Sequence, residues 1–96
     1  MMNFTWDAQK ATANVKKHGV SFELAVRIFA YPFALTYQDR IEDREYRWQT
    51  VGLVDGYLVL LVAHTLEENN NTEIIRIISA RRADSKERTR YEQTIR

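Results

Sequence analysis

The chain has 96 residues, enough for one small domain that buries roughly 60–65% of its unfolded surface and too few for two. It has no cysteine, which excludes disulfides and thiolate metal sites, and its two histidines, His18 and His64, lie too far apart in sequence to suggest a ligand pair. The formal net charge of +1 hides a polarity: residues 76–96 carry seven Lys/Arg against three Asp/Glu (+4), and residues 1–75 carry seven against ten (−3).

The start, Met1-Met2-Asn3-Phe4-Thr5-Trp6, lacks a basic region followed by a long apolar core. No apolar run approaches the ~20 residues that span a bilayer, so no targeting or membrane segment is expected and a cytoplasmic location is. Phe4-Thr5 offers only a stub of strand. Asp7 as N-cap, Trp6 and Ala11 as a staple and Gly19 at the C′ position predict a helix over residues 8–18. A second helix is capped by Ser21, carries Phe22, Ala25, Val26 and Phe29 as one apolar stripe, and ends before Pro32.

The period then changes to that of a sheet. Residues 33–38 read as a short strand, 39–44 as a charged loop, and 45–54 as a strand alternating Tyr46, Trp48 and Thr50 against Arg47, Gln49, Val51 and Leu53. Asp55-Gly56 should close a hairpin with residues 57–65, whose Leu58 to Val62 leave no polar face and suggest a central strand. Residues 67–71 read as a loop and 73–79 as the last strand. Asp84 and Glu87 have the spacing of a capping box, which starts a helix near Ser85 and carries it toward Ile95. Only Tyr91 and Ile95 share a face of that helix with Ala83 and Glu87, so it is expected to be loosely fastened or completed by a partner.

No repeat or Pro/Gly-rich linker interrupts the chain, which is read as a single domain, 1–96. The order α-α-β-β-β-β-α implies an α+β fold, a mainly antiparallel four-stranded sheet packed against helices.

There is no Gly-rich phosphate loop, no Ser-centred elbow and no cluster of metal ligands, so neither cofactor nor metal is expected. What remains is arginine. In Ile74-Ile75-Arg76-Ile77-Ile78-Ser79-Ala80-Arg81-Arg82 an apolar strand is broken once by a charge that cannot be discarded by deprotonation, whose natural partners are a carboxylate or a phosphate. Arg47, Arg76, Arg81 and Arg82, with Glu45, His64, Ser79, Glu87 and Tyr91, suit phosphodiester cleavage, in which a base activates a hydroxyl, cations stabilise the phosphorane charge and an acid protonates the leaving oxygen. In RNA the 2′-hydroxyl can be that nucleophile, which makes a metal unnecessary.

Each residue also has a structural role open to it. Arg76 can be a buried partner of Glu45, Arg47 an ordinary cross-strand ion pair, and His64 a satisfied strand-end histidine. Arg81-Arg82 can coat a solvated loop, or lead into helix amides that favour an anion. Tyr46 and Trp48 can stack on bases or pack in the core. The basic C-terminal end fits nucleic acid, an acidic partner or a solvated helix face alike.

Taken together, Phe4-Thr5-Trp6-Asp7, Lys10, Asn14, Lys17-His18-Gly19-Val20-Ser21-Phe22, Ala25, Glu45-x-Arg47 leading to Gly52, and Ile75 to Ala83 with Glu87 and Tyr91 resemble the BrnT family, ribonuclease toxins of bacterial type II toxin–antitoxin pairs distantly related to RelE. The resemblance implies a RelE-like fold and metal-independent RNA cleavage that inhibits translation. It also implies neutralisation by a BrnA-type ribbon-helix-helix antitoxin, two toxins being held by an antitoxin dimer that represses its own operator DNA. Carried over by position, Glu45, Arg47, Arg76, Ser79, Arg81 and Tyr91 match its motifs. The expected assignment is Arg76 and Arg81 on the scissile phosphate, Glu45 or His64 as base, Tyr91 or Arg47 for proton delivery or positioning, and Arg47, Ser79 and Arg82 on RNA. The antitoxin is expected on Arg81, Arg82 and Arg88. The competing class is a non-catalytic binding module acting only through antitoxin and operator DNA.

Overall fold

A computed structural model describes residues 1–96. In chain order the elements are β1 (Met2–Thr5), α1 (Ala8–His18), α2 (Phe22–Val26) running into a 3₁₀ segment (Arg27–Ala30), β2 (Leu35–Glu42), β3 (Glu45–Val54), β4 (Leu58–His64), β5 (Glu67–Asn69), β6 (Thr72–Arg82) and α3 (Ser85–Thr94). The α+β class and the three helices stand. The four-stranded sheet is corrected to a six-stranded one, of order β1-β6-β4-β3-β2 with β5 also paired to β6. Pairing is antiparallel except between β1 and β6.

Both extra strands lie where the sequence shows no alternation. The N-terminal stub extends to four residues because it pairs in parallel with Glu73–Arg76 at the sheet's margin. The Asn-rich loop is a hairpin: Glu67–Asn69 pairs with Thr72–Ile74 across Asn70 and Asn71, both at positive φ (51° and 65°), the two-residue turn that asparagine tolerates. Most of the expected charged loop at 39–44 is also strand. β2 runs to Glu42 and only Asp43 and Arg44 turn, at φ 51° and 65°. Every residue of β2 after Leu35 is exposed, so no buried face writes a two-residue period into its sequence.

The helices form where their caps predict. The Asp7 carboxylate accepts from the Lys10 amide, Ser21 Oγ accepts from the Leu24 amide, and Asp84 and Glu87 cap α3 reciprocally. The second helix packs its apolar side on the sheet, but the buried stripe is Phe22, Ala25 and Ile28. Its three-residue spacing follows from the tightening to 3₁₀ after Val26, which stacks i and i+3. Gly52 permits this approach: a Cβ there would lie 3.0 Å from Ile28 Cγ1 and 3.1 Å from Ala34 Cβ.

α1, α2 and the 3₁₀ segment cover one face of the sheet over a core that includes Val20, Phe22, Ile28, Leu60, Val62, Ile75, Ile77 and Ala80. The other face is largely open. There α3 is fastened through Tyr91, its only buried residue, against Val51 and Leu61. No helix is long and apolar enough to cross a membrane.

Candidate active site on the open face of the sheet

Residues five apart in a regular strand point to opposite faces, so Arg76 and Arg81 should be separated by the sheet. They are not, because β6 carries a bulge. His64 pairs with Ile77 and Ala63 with Ser79, two residues of β6 opposite one step of β4, which makes Ile78 the extra residue. The helix-covered face therefore receives Ile75, Ile77 and Ala80, and the open face receives Arg76, Ser79 and Arg81. β3 supplies the rest. Its Val54 belongs to the helix-side core and Val51 packs with Tyr91, so Glu45, Arg47 and Gln49 share the open face with Val51.

Gln49, Ala63 and Ser79 lie in register across the sheet, as do Val51, Leu61 and Arg81 in the row beside them. The first row is a half-buried strip of the open face, polar at both ends. Beyond its far side Arg76 Nη2 donates to Glu45 Oε1 at 2.7 Å, with the side chains 43% and 42% exposed. Glu45 is thus the partner anticipated for Arg76, but the pair stands in partial solvent rather than in the interior. The Arg76 hydrogen bond, opposed by desolvation and helped by the charges of Arg76 and Arg47, holds the Glu45 carboxyl below the usual carboxylate range.

Arg47 is more enclosed, at 13% exposure, and lies 3.8 Å from both Glu42 and Glu45, beyond hydrogen-bond distance. Its Nε–H is buried with no acceptor. One donor of this enclosed guanidinium is therefore unsatisfied, close to the Glu45–Arg76 pair.

Arg81 forms a fork on Glu87, Nη1 to Oε1 at 2.7 Å and Nη2 to Oε2 at 2.8 Å, which ties the root of α3 to β6. That pairing raises Arg81 and lowers Glu87 from their ordinary values. Two sequence expectations change here. Arg81 and Arg82 belong to a strand, not a loop, so they point to opposite faces and cannot form one phosphate cradle. Two of the amides at the start of α3 are already used, because Asp84 accepts from the Glu87 amide and Glu87 from the Asp84 amide. Arg82 is exposed, and Arg88 is exposed on α3 with Glu92 4.0 Å away.

His64 is not brought to this cluster, and Tyr91, which packs on Val51 and Leu61 in the row of Arg81, stands on the open face with its hydroxyl already engaged. His64 is fully buried on the helix-covered face, edge-on to Phe29 at 5.0 Å. Nδ1–H donates to the Thr65 carbonyl at 2.9 Å, and Nε2 accepts from Thr50 Oγ1 at 2.7 Å, itself 2.8 Å from Thr36 Oγ1. Burial, opposed by the Thr65 hydrogen bond, lowers its pKa. The Tyr91 hydroxyl donates to the Phe33 carbonyl at 2.8 Å, and burial, with the nearby Tyr31 hydroxyl, pushes it up to about 12. Both are satisfied structural groups.

Sequence reasoning passed over Gln49 and Asn14. The alternation that grouped Arg47 with Gln49 contained the first signal. Asn14 is buried and bonds both the carbonyl (2.8 Å) and the amide (3.2 Å) of Ala80, and the Val20 carbonyl (2.8 Å), standing in for a strand along the unpaired edge of β6 beside the bulge.

No curated protein matches the chain. Among solved structures, the crystal structure at 1.1 Å resolution of the Brucella abortus ribonuclease toxin BrnT is similar in fold, with a TM-score of 0.62 at 21% identity, covering 88% of this chain and 100% of that one. The profile of a family described as ribonuclease toxin, BrnT, of type II toxin–antitoxin system matches residues 6–87, a span that holds Glu45, Arg47, Arg76, Ser79, Arg81 and Glu87 and stops short of Arg88 and Tyr91. With that much of the sequence matched and the whole open-face cluster inside it, the chain belongs to the BrnT family of ribonuclease toxins of type II toxin–antitoxin systems.

Proposed function

We propose that this chain is an active RelE-like toxin that cleaves RNA in the cytoplasm without a metal ion and thereby inhibits translation. The observation that carries the reading is the gathering of Glu45, Arg47, Arg76 and Ser79 on one open sheet face through the β6 bulge. In the reaction the 2′-oxygen–phosphorus bond forms as the bond to the 5′-oxygen breaks. Arg76 leaves Glu45 for the phosphate, where its fork stabilises the developing charge. Released from that hydrogen bond, Glu45 regains basicity and takes the 2′-hydroxyl proton. Arg47, beside the Glu45–Arg76 pair, stabilises the charge on the leaving 5′-oxygen, which takes its proton from water, and Ser79 holds the adjoining backbone. Arg81, committed to Glu87, supports the phosphate through its field. His64 and Tyr91 have no part in this scheme.

The antitoxin in this reading is a BrnA-type ribbon-helix-helix protein, two toxins joining an antitoxin dimer that acts on operator DNA. Covering Arg81, Arg82 and Arg88 together requires it to wrap the end of the sheet, since Arg82 faces away from the other two. One observation favours the non-catalytic alternative: Arg76 and Arg81 are both already paired with carboxylates.

A cleavage assay separates the two. The purified chain should cut RNA in EDTA, and Arg76→Ala should lower the single-turnover rate by ~10²-fold or more while barely shifting the melting midpoint, because its ion pair is solvent-exposed. Strict dependence on Mg²⁺ would overturn the mechanism, and an inert wild-type chain would favour the binding module. Expression alone should arrest growth and co-expression of the antitoxin restore it.

A further inference from the structure

Between α3 and the outer strands lies a cavity of about 310 Å³ lined by Leu35, Tyr37, Val51, Arg90, Tyr91 and Thr94. Its size is at the low end of small-molecule pockets, about 300 Å³. Leu35, Val51 and Tyr91 are packed together and make an apolar floor. Over that floor stand two groups with nothing to do in the fold. Tyr37 is 45% exposed and makes no side-chain hydrogen bond. Arg90 is exposed and has no carboxylate within 4.0 Å, unlike Arg81 and Arg88, which precede it in the sequence.

The position matters as much as the lining. Tyr37 pairs across the sheet with Gln49, the first residue of the Gln49–Ala63–Ser79 row, and Val51 is in register with Leu61 and Arg81. A strand of RNA whose backbone follows that row from Arg76 therefore passes the mouth of this cavity. An aromatic ring and an apolar floor fit the π-face of a base, and the guanidinium of Arg90 stacks on such a face as readily as it meets a backbone phosphate.

We infer that this cavity takes one unstacked nucleobase of the RNA, held against the ring of Tyr37 and the guanidinium of Arg90. The inference rests on the RNA-cleaving reading and adds to it a base-holding subsite away from the reacting phosphate. Stacking tolerates every base, so the site confers grip and register more than sequence choice.

The test uses a short RNA oligonucleotide methylated at every 2′-oxygen, so that binding is read without cleavage, and a set of the same oligonucleotides each lacking one base. For the wild type, one abasic position should weaken binding roughly tenfold, the scale of one stacked base. Tyr37→Ala should weaken the intact oligonucleotide by a similar factor and show no further loss at that same abasic position; Tyr37→Phe should restore the ring and the wild-type pattern. Arg90→Gln should give a smaller loss confined to the same position. Tyr37→Ala binding as tightly as wild type, or losing equally on intact and abasic strands, would overturn the inference. So would a Tyr37→Ala defect confined to the antitoxin complex, which would assign the cavity to that partner. If the base-dependent pattern holds but unmethylated RNA is not cut, the pocket stands and the ribonuclease mechanism fails.

Discussion

Arg47 carries an enclosed and poorly compensated charge: it is 13% exposed, 3.8 Å from two carboxylates and has a buried Nε–H without an acceptor. Desolvation of such a group exceeds what two distant partners return. Removing it strands neither carboxylate, since Glu42 keeps Arg40 at 3.2 Å and Glu45 keeps Arg76 at 2.7 Å. Arg47→Met should thus leave stability unchanged or raise it by about 1 kcal/mol in urea melts, while lowering cleavage by ~10²-fold; a marked loss of stability would show that Arg47 holds the sheet and not the substrate. His64 makes the opposite kind of prediction. Its folded-state pKa is lowered by burial from the ordinary 6.5, so on acidification the unfolded chain takes up the proton first. Its contribution to stability is complete above about pH 6.5 and declines below it, with a slope of at most ~1.4 kcal/mol per pH unit. Glu45 and Glu87, lowered from 4.5, begin to act only under that value, leaving the interval between for His64. His64→Gln should be flat across it; an equally steep fall in the variant would assign the pH dependence elsewhere.

β6 owes its edge to a side chain. Asn14→Ala deprives Ala80 of both backbone partners and Val20 of one, all buried, and should cost about 2–4 kcal/mol in thermal or urea unfolding. A loss well under 1 kcal/mol would mean that water replaces the amide at that edge. How legible the elements were depended on whether a buried face marked them. The helices were readable because Asp7, Ser21 and Asp84 announce their starts, and β3 because Arg47 and Gln49 alternate with Trp48 and Thr50. The tips of β2 and β5 were not, since strands exposed on both faces obey no two-residue period. The bulge in β6 left no trace for another reason. It falls at Ile78, in a run of isoleucines that is apolar on either parity, so the slip that brings Arg76 and Arg81 to one face changes no residue class. Arg76 was legible as a charge needing a partner, and Glu45 as that partner. What alternation could not convey was that its face of the sheet is uncovered.

At the scale of the whole molecule, charge is sorted end to end. That sorting runs along the sequence, −3 over residues 1–75 and +4 over residues 76–96, with Lys86, Arg88 and Arg90 on α3 and Arg40 and Arg44 beside Glu42 and Asp43 at the far hairpin tip. RNA binding should weaken steeply with salt, and replacing Arg47 or Arg76 by Gln should reduce the log–log slope by about 0.7 if each meets one phosphate. An unchanged slope would place the RNA elsewhere on the molecule. The parallel pairing of β1 has a further consequence, in time. Met2–Thr5 finds its only strand partner in Glu73–Arg76, and the contact of Asn14 with Ala80 spans 66 positions. Contacts of such long range form late and slowly. The residues that complete the arginine face, Arg76, Ser79 and Arg81, are themselves on that last strand. During synthesis, at ~5–20 residues per second, the emerging chain has neither its closing strand nor the arginines that strand carries. A ribosome making this toxin is therefore not exposed to a working copy of it until β6 has left the exit tunnel.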